Sequence, residues 1–162
     1  MKQDLYQEIV AYIIENQNKF YRLAYSYVGK REDALDLVQN AVCRALEHYG
    51  GLKNAAAVRA WFYRILVNEC LQFLKEKKRV LPAPDDQLDA VYVEKDFEGD
   101  GNLYDYINQL DSDTQTIIKL RFFEDLPLKE IAQIMELNLS TVKAKLYRGL
   151  ERLKVTLQEV DL

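Results

Sequence analysis

Three basic residues near the end of the chain are spaced so that they could act together on an anion. Lys143, Lys145 and Arg148 follow a short polar break in an otherwise apolar and acidic stretch. On a helix these cations project from one broad outer arc, where ammonium and guanidinium groups can pair with phosphate oxygens. The stretch therefore indicates a small basic helix in a chain whose formal net charge is −4.

The residues before this helix predict a shorter helix and a tight turn. Ile131, Ala132 and Met135 share one face, and Ala132 supplies the small side chain that two steeply crossing helices need. Glu136 lies in the turn where a glycine would ease a left-handed residue. Asn138 can cap the second helix with its side-chain oxygen. This pattern is typical of a helix-turn-helix.

The second helix is expected to bury Val142, Leu146, Leu150 and Leu153. The outer arc then presents hydroxyls, cations and a small alanine, which suit phosphates and base edges. On charge alone, a solvated basic face on a packing helix is the alternative, and the turn with its small crossing residue favours nucleic acid. The predicted contact residues are Ser140, Thr141, Lys143, Ala144, Lys145, Tyr147 and Arg148.

Composition limits the class of protein. The 162 residues are rich in apolar and charged types and poor in glycine and proline, which favours a helical protein of one ordinary or two small domains. Cys43 and Cys70 lack a metal-type spacing and are expected to be buried, reduced thiols. Asp4, Glu8 and Glu15 interrupt the N-terminal stretch, so we expect a cytoplasmic protein without a signal peptide or membrane span.

Helical periodicity divides the chain into two modules. Three apolar stripes before residue 79 predict an antiparallel bundle, with an additional short helix at residues 5–14. Gly29 ends the first stripe, and the Gly50–Gly51 pair ends the second. Residues 80–101 are rich in Asp and Glu against only Lys95, and no stripe continues through them. We therefore predict an all-α fold with domains at residues 1–79 and 102–162, joined by a flexible acidic linker at 80–101.

Three runs, taken together, carry a family resemblance. They are FYRLAYSYVGKREDALDLVQNAVCRALEHY, AWFYRILVNECLQFLKEKKR and LRFFEDLPLKEIAQIMELNLSTVKAKLYRGLERLK. In order and spacing, over about residues 20–154, the chain resembles the extracytoplasmic-function (ECF) sigma factors of bacteria, group IV of the sigma-70 family. The resemblance implies a transcription initiation factor that binds core RNA polymerase and promoter DNA. It implies no catalytic centre, metal, cofactor or small-molecule substrate, and no direct membrane insertion.

The resemblance implies that the segment DALDLVQ belongs to the polymerase-binding helix. If Ala34, Leu35 and Val38 face inwards, polar residues fall on the opposite face, and Leu37 among them would be an exposed anchor for a partner helix. The implied core-polymerase-binding residues are Asp36, Leu37, Gln39, Asn40, Cys43 and Arg44.

The segment NECLQFLKEKKR resembles the helix that meets the melted −10 strand. Asn68 matches the family's asparagine, whose amide can contact an exposed base edge, and Tyr63 could also face DNA. The loop at residues 50–57 lies where the family accommodates a flipped-out base. The implied −10 contacts are Arg64, Asn68, Lys75, Lys77, Lys78 and Arg79.

Members of this family commonly serve envelope or other stress responses and are held inactive by an anti-sigma factor, often membrane-anchored. Such a partner is what the resemblance implies here. Two alternatives remain open at this point. One is a stand-alone helix-turn-helix regulator that recognises paired half-sites as a dimer without polymerase. The other is a helical interaction protein that sequesters a partner, for which Lys143, Lys145 and Arg148 would be dispensable.

Overall fold

The computed structural model describes residues 2–80 and 101–160, with side chains for 4–77 and 103–157. All regular elements in these ranges are helical, which confirms the predicted all-α class. The chain divides into an N-terminal and a C-terminal unit. Nearly all of the predicted acidic linker lies outside the described residues.

The N-terminal unit is a three-helix arrangement of α1 (Lys2–Val28), α2 (Arg31–Glu47) and α3 (Val58–Val80). Helix α1 is continuous, so the prediction of a separate short helix at residues 5–14 is wrong. The polar residues 15–19 contain no glycine or proline, and they interrupt the apolar stripe without interrupting the backbone hydrogen bonds. Gly29 ends α1 as predicted, in a left-handed conformation (φ 69°) whose N–H donates to the carbonyl of Tyr25.

Aromatic rings form the centre of this unit. Phe20 of α1 and Phe62 of α3 are fully buried, with ring centroids 4.5 Å apart. The ring of Tyr63 meets Phe20 edge-on at 5.4 Å, so Tyr63 is buried and does not face DNA as the sequence suggested. These contacts fix α3 against α1 and thereby decide which side of α3 stays exposed.

Two short 3₁₀ turns, Tyr49–Gly51 and Ala55–Ala57, connect α2 to α3. Leu52 between them is buried and anchors the loop to the unit. Asn54 caps the following turn, because its side-chain oxygen accepts a hydrogen bond from the N–H of Ala56 at 3.1 Å.

The C-terminal unit contains α4 (Gly101–Asn108), α5 (Ser112–Ile118), a π-helical turn (Lys119–Phe123), α6 (Leu128–Met135) and α7 (Leu139–Val160). Its apolar core is formed by Ile107, Ile117, Leu120, Ile131, Ile134, Val142 and Leu146. This core packs α6 and the first half of α7 onto α5 and the π-helical turn, which holds the helix-turn-helix in a fixed position.

A buried lysine lies inside this unit. The Lys119 side chain is fully buried, and its ammonium donates to Oδ1 of Asn108 at 2.8 Å and to Oε1 of Gln115 at 2.9 Å. Gln115 in turn donates to the carbonyl of Leu110. The cation thus lies at the C-terminal end of α4, where the helix dipole favours positive charge. It ties α4 to α5 through polar contacts that apolar periodicity does not reveal.

Candidate polymerase-binding and nucleic-acid interfaces

The buried stripe of α2 decides which residues face outwards. Ala34, Leu37, Ala41 and Ala45 are buried at successive helical turns. The side chain of Leu37 is only 5 % exposed, whereas that of Leu35 is 45 % exposed. The prediction that Leu37 is an exposed anchor, with Leu35 facing inwards, is therefore wrong. The three alanines are small enough to lie against α1 and α3, so the stripe runs through them rather than through every large residue.

The outward face of α2 is polar around Leu35. The residues predicted there other than Leu37 are all exposed: Asp36, Gln39, Asn40, Cys43 and Arg44. A single exposed leucine surrounded by carboxylate, amide and cationic groups is a surface that suits a protein partner, because it combines apolar burial with hydrogen bonds.

An open groove of about 970 Å³ runs between α1 and α2 beside this face. Leu35, Val38 and Ile13 supply its apolar wall. Amide side chains of Gln17, Asn18, Gln39 and Asn40 line it too. The groove is wide and open, which fits a protein segment better than a small molecule enclosed on most sides.

Two of the α2 residues have roles that the sequence did not predict. Arg44 forms an ion pair with Glu69 of α3, so its guanidinium also connects two helices of the unit. Cys43 is an exposed free thiol, which corrects the expectation of two buried thiols, while Cys70 is buried as expected. Cys43 follows Leu35 by two turns and lies on the outer side because the alanine stripe occupies the inner one.

The predicted −10 surface follows one side of α3. Arg64, Asn68 and Lys75 are exposed and lie at helical intervals of four and seven residues, and Lys77 is half-buried. Lys78 and Arg79 belong to α3, but their side chains lie outside the described part of the chain. The described residues thus bring one amide and two cations to a common face, which can contact a base edge and backbone phosphates.

Helix α7 presents the predicted −35 surface. Val142, Leu146 and Leu153 are buried as predicted. On the other side of the helix, Ser140, Lys143, Ala144, Tyr147 and Arg148 are exposed, whereas Thr141 and Lys145 are half-buried. The side chain of Tyr147 is 61 % exposed, which leaves its ring available to a base or sugar. The face therefore has cations, an aromatic ring and a small residue that permits close approach.

The turn before α7 has the strained geometry that the sequence suggested. Glu136 adopts the left-handed conformation (φ 56°, ψ 43°) at the end of α6, and its N–H donates to Ala132 and Gln133 carbonyls. The N–H of Leu137 also donates to the carbonyl of Ala132, at 3.0 Å. Ile131 and Ile134 are the buried residues of α6, while Ala132 is half-buried. These bonds close the turn and set the angle at which α7 leaves it.

The charge of Lys145 acts on an acidic group of its own unit. Burial alone would raise the pKa of Asp111, but hydrogen bonds from Thr114 and the positive charge of Lys145 together lower the pKa of that carboxyl below its usual value of 3.8. Asp111 caps α5, and its Oδ2 accepts from the N–H of Thr114 at 3.1 Å. Lys145 therefore differs from the exposed Lys143, although the sequence assigned both the same role.

Sequence reasoning missed three features of these surfaces. It assigned no outward role to Leu35, did not identify Lys119 as a buried cation, and did not mark Phe122 of the π-helical turn, whose side chain is 52 % exposed. The alanines of α2 at positions 34, 41 and 45, seven and four residues apart, were the available signal for Leu35. Among the described residues, no cluster of three or more metal-ligating side chains occurs and no helix could span a membrane.

Both units match known protein families. Residues 12–80 match Sigma-70 region 2, and residues 100–153 match Sigma-70 region 4. The RNA polymerase sigma factor SigV of Bacillus subtilis is 39% identical over 155 residues, covering 95% of this chain and 93% of the relative. The ECF RNA polymerase sigma factor SigW of the same organism is 26% identical, covering 98% and 91%.

A solved structure shares the fold. The sigma factor RpoE of Bartonella quintana, crystallised with the anti-sigma factor NepR, superposes with a TM-score of 0.67 at 20% identity. The match covers 97% of this chain and 96% of that one. At this identity the likeness concerns the arrangement of helices.

Proposed function

Since the chain belongs to the ECF sigma factors of the sigma-70 family, a family of promoter-specificity subunits and not of enzymes, we propose how its two units divide the work. The protein is a transcription initiation factor that directs core RNA polymerase to promoters. The N-terminal unit (residues 1–79) holds core polymerase and the −10 element. The C-terminal unit (102–162) recognises the −35 element, and residues 80–101 connect them.

The observation that carries the first assignment is the exposed Leu35. Asp36, Gln39 and Asn40 surround it on α2, and the groove against α1 adjoins it. A large apolar side chain at 45 % exposure loses contact with water when a partner covers it, while the polar neighbours determine orientation. Leu35 thus replaces Leu37 as the anchor for polymerase.

The exposed face of α7 supports the second assignment. Lys143 and Arg148 can pair with phosphates or guanine edges, and Tyr147 offers its ring. So few cations can neutralise only a few phosphates, and the chain as a whole is acidic. Direct binding of the free protein to promoter DNA is therefore expected to be weak. Affinity comes from two modest modules acting together while both are held on polymerase.

The stand-alone regulator is not favoured. It would require neither the α2 face nor a second unit that matches Sigma-70 region 2. It would also bind its DNA site tightly without polymerase, usually as a dimer on paired half-sites. Specific promoter binding that depends on core polymerase distinguishes the two functions.

An anti-sigma factor is the expected negative regulator, and envelope or other stress is the expected signal. The groove between α1 and α2 supports this proposal, because its apolar wall and amide rim suit an amphipathic segment of a protein partner. Such a partner, anchored in the membrane, would act on a cytoplasmic protein and would compete with polymerase for Leu35.

A crossed pair of variants tests the division of work. We expect wild-type protein to co-elute with purified bacterial core polymerase on a sizing column. An Asp36→Ala/Gln39→Ala variant should lose that complex. A Lys143→Ala/Arg148→Ala variant should keep the complex and lose promoter-specific transcription. No complex with wild-type protein at micromolar concentration, or tight promoter binding without core, would favour the stand-alone regulator.

A further inference from the structure

Helices α5 and α7 cross so closely that one position cannot carry a side chain. Gly149 is buried in the middle of α7. An alanine Cβ there would lie 2.5 Å from Cγ2 of Thr114 and 3.1 Å from Cδ1 of Ile118. Glycine is less favourable than alanine inside a helix, so propensity alone would disfavour glycine at this position. The close approach explains why glycine is required.

Thr114 has little freedom to make room. Its side chain is β-branched, which restricts χ1, and it is only 5 % exposed. Its N–H donates to Oδ2 of Asp111 at 3.1 Å, and its side chain is also hydrogen-bonded to that carboxylate. These bonds hold the hydroxyl on Asp111 and leave the methyl group against Gly149.

An electrostatic attraction acts one helical turn earlier on α7. Lys145 precedes Gly149 by four residues, so both lie on the same side of the helix. Lys145 is half-buried, and its positive charge acts on Asp111, the residue that caps α5. The start of α5 therefore meets α7 at two successive turns, through an attraction at Lys145 and a steric limit at Gly149.

We propose that Gly149 and Thr114 are positioning residues for −35 recognition: their contact sets how far the exposed face of α7 stands from the body of its unit. This rests on the proposed function of α7. Lys143, Tyr147 and Arg148 share one rigid helix with Gly149. A Cβ at position 149 would have to push that helix away from Thr114 by about 1 Å, and hydrogen bonds to bases weaken steeply over such distances. Lys145 then supports the helix and is not itself a base contact.

Four proteins test the proposal: wild type, Gly149→Ala, Thr114→Ser and the double variant. Thr114→Ser keeps the hydroxyl that bonds Asp111 and removes only the methyl group that meets position 149. A promoter library randomised at the −35 and −10 elements is first selected with wild-type holoenzyme. Each protein, saturating on purified core polymerase, then transcribes promoters randomised at −35 alone, and the transcripts are sequenced. Thermal unfolding is measured in parallel.

We expect Gly149→Ala to lower the preference for the selected −35 sequence by about tenfold, the value of one good base contact. The double variant should return to wild-type preference, and Thr114→Ser alone should match wild type. A Gly149→Ala protein with lower thermal stability but unchanged −35 preference would overturn the proposal, as would a double variant that stays defective. If wild-type holoenzyme selects no promoters from the library, the proposed function itself fails, and the wild-type selection alone distinguishes that outcome from failure of the positioning proposal.

Discussion

Helices α2 and α7 each present one face to a partner, but they are built in opposite ways. Helix α2 buries mainly small residues, Ala34, Ala41 and Ala45, and exposes the large Leu35. Helix α7 buries Val142 and Leu146 and exposes cations and Tyr147. An exposed leucine among polar groups suits a protein surface that excludes water, whereas cations and a ring suit nucleic acid. What a helix leaves outside, rather than how amphipathic it is, indicates the kind of partner.

The sharpest way to break this comparison is to charge the α2 face. We expect Leu35→Asp to raise the Kd for core polymerase by more than about tenfold, because a carboxylate would be buried without a partner at the anchor position. The fold should persist, since Leu35 is 45 % exposed in the free protein. Fluorescence titration with purified core polymerase measures the affinity, and thermal unfolding measures stability.

Val155→Asp is the matched control for that variant. Val155 is 47 % exposed and lies near the end of α7, in the other unit from the α2 face. It should bind core polymerase as wild type does. Equal weakening of binding by both variants would mean that Leu35 has no special role in the α2 face.

The two lysines of α7 sharpen the other side of the comparison. We expect Lys143→Gln to reduce the salt dependence of promoter binding by holoenzyme by about one unit of log–log slope, because one phosphate contact is lost. Lys145→Gln should change that slope less, since Lys145 is half-buried and interacts with Asp111. Promoter binding measured across salt concentrations compares the two, and equal slopes would assign both lysines to DNA.

The turn between α6 and α7 should yield a smaller effect, on stability. Glu136 has φ 56°, a conformation that costs a side-chain-bearing residue about 1 kcal/mol, so Glu136→Gly should raise the free energy of unfolding of this unit. Gln133→Gly is the control, because it places glycine inside α6 and should lower that free energy by about 1 kcal/mol. Urea unfolding followed by circular dichroism measures both. Destabilisation by both changes would show that the Glu136 side chain outweighs the strain.

The smallest predicted effect is a pH dependence at the start of α5. Burial raises the pKa of Asp111 in the folded protein, but the hydrogen bonds from Thr114 and the charge of Lys145 together outweigh burial and lower that pKa. Its ionised form therefore stabilises the fold above the ordinary pKa of 3.8, and this contribution is lost as pH falls through the lower folded value. Asp111→Asn keeps a capping oxygen without a titrating group. The Tm difference between wild type and Asp111→Asn should shrink as the solution is acidified towards pH 3; a constant difference would contradict the assignment.

Periodicity in the sequence predicted most of the α7 surface but placed the wrong leucine of α2 on the outside. In α7 the buried positions are large and apolar and the exposed ones are polar, so the two sides differ clearly. In α2 the buried stripe is mainly alanine, and both Leu35 and Leu37 compete for the core. One residue along a helix rotates the side chain by about 100°. A stripe of small residues leaves that rotation undecided until α1 and α3 are in place.

Buried polar contacts show the same limit. Lys119 has the sequence character of a surface lysine, yet its ammonium is enclosed by Asn108 and Gln115. Those partners lie four and eleven residues away along the chain, in two different helices. Only folding brings their oxygens together, and a buried cation is tolerated because those oxygens replace water.

By itself, the sequence determined an all-helical chain with two modules, the helix-turn-helix, the glycine that ends α1, the strained turn at Glu136 and the family. The structural features follow from local spacing and backbone chemistry, which neighbouring residues set, and the family follows from the resemblance of three runs taken in order. The tertiary structure decided that Leu35 is the exposed leucine of α2, that the charge of Lys145 acts on Asp111, and that Gly149 meets Thr114. Each depends on the distance and rotation of one helix against another, which are fixed only when the side chains of both pack together.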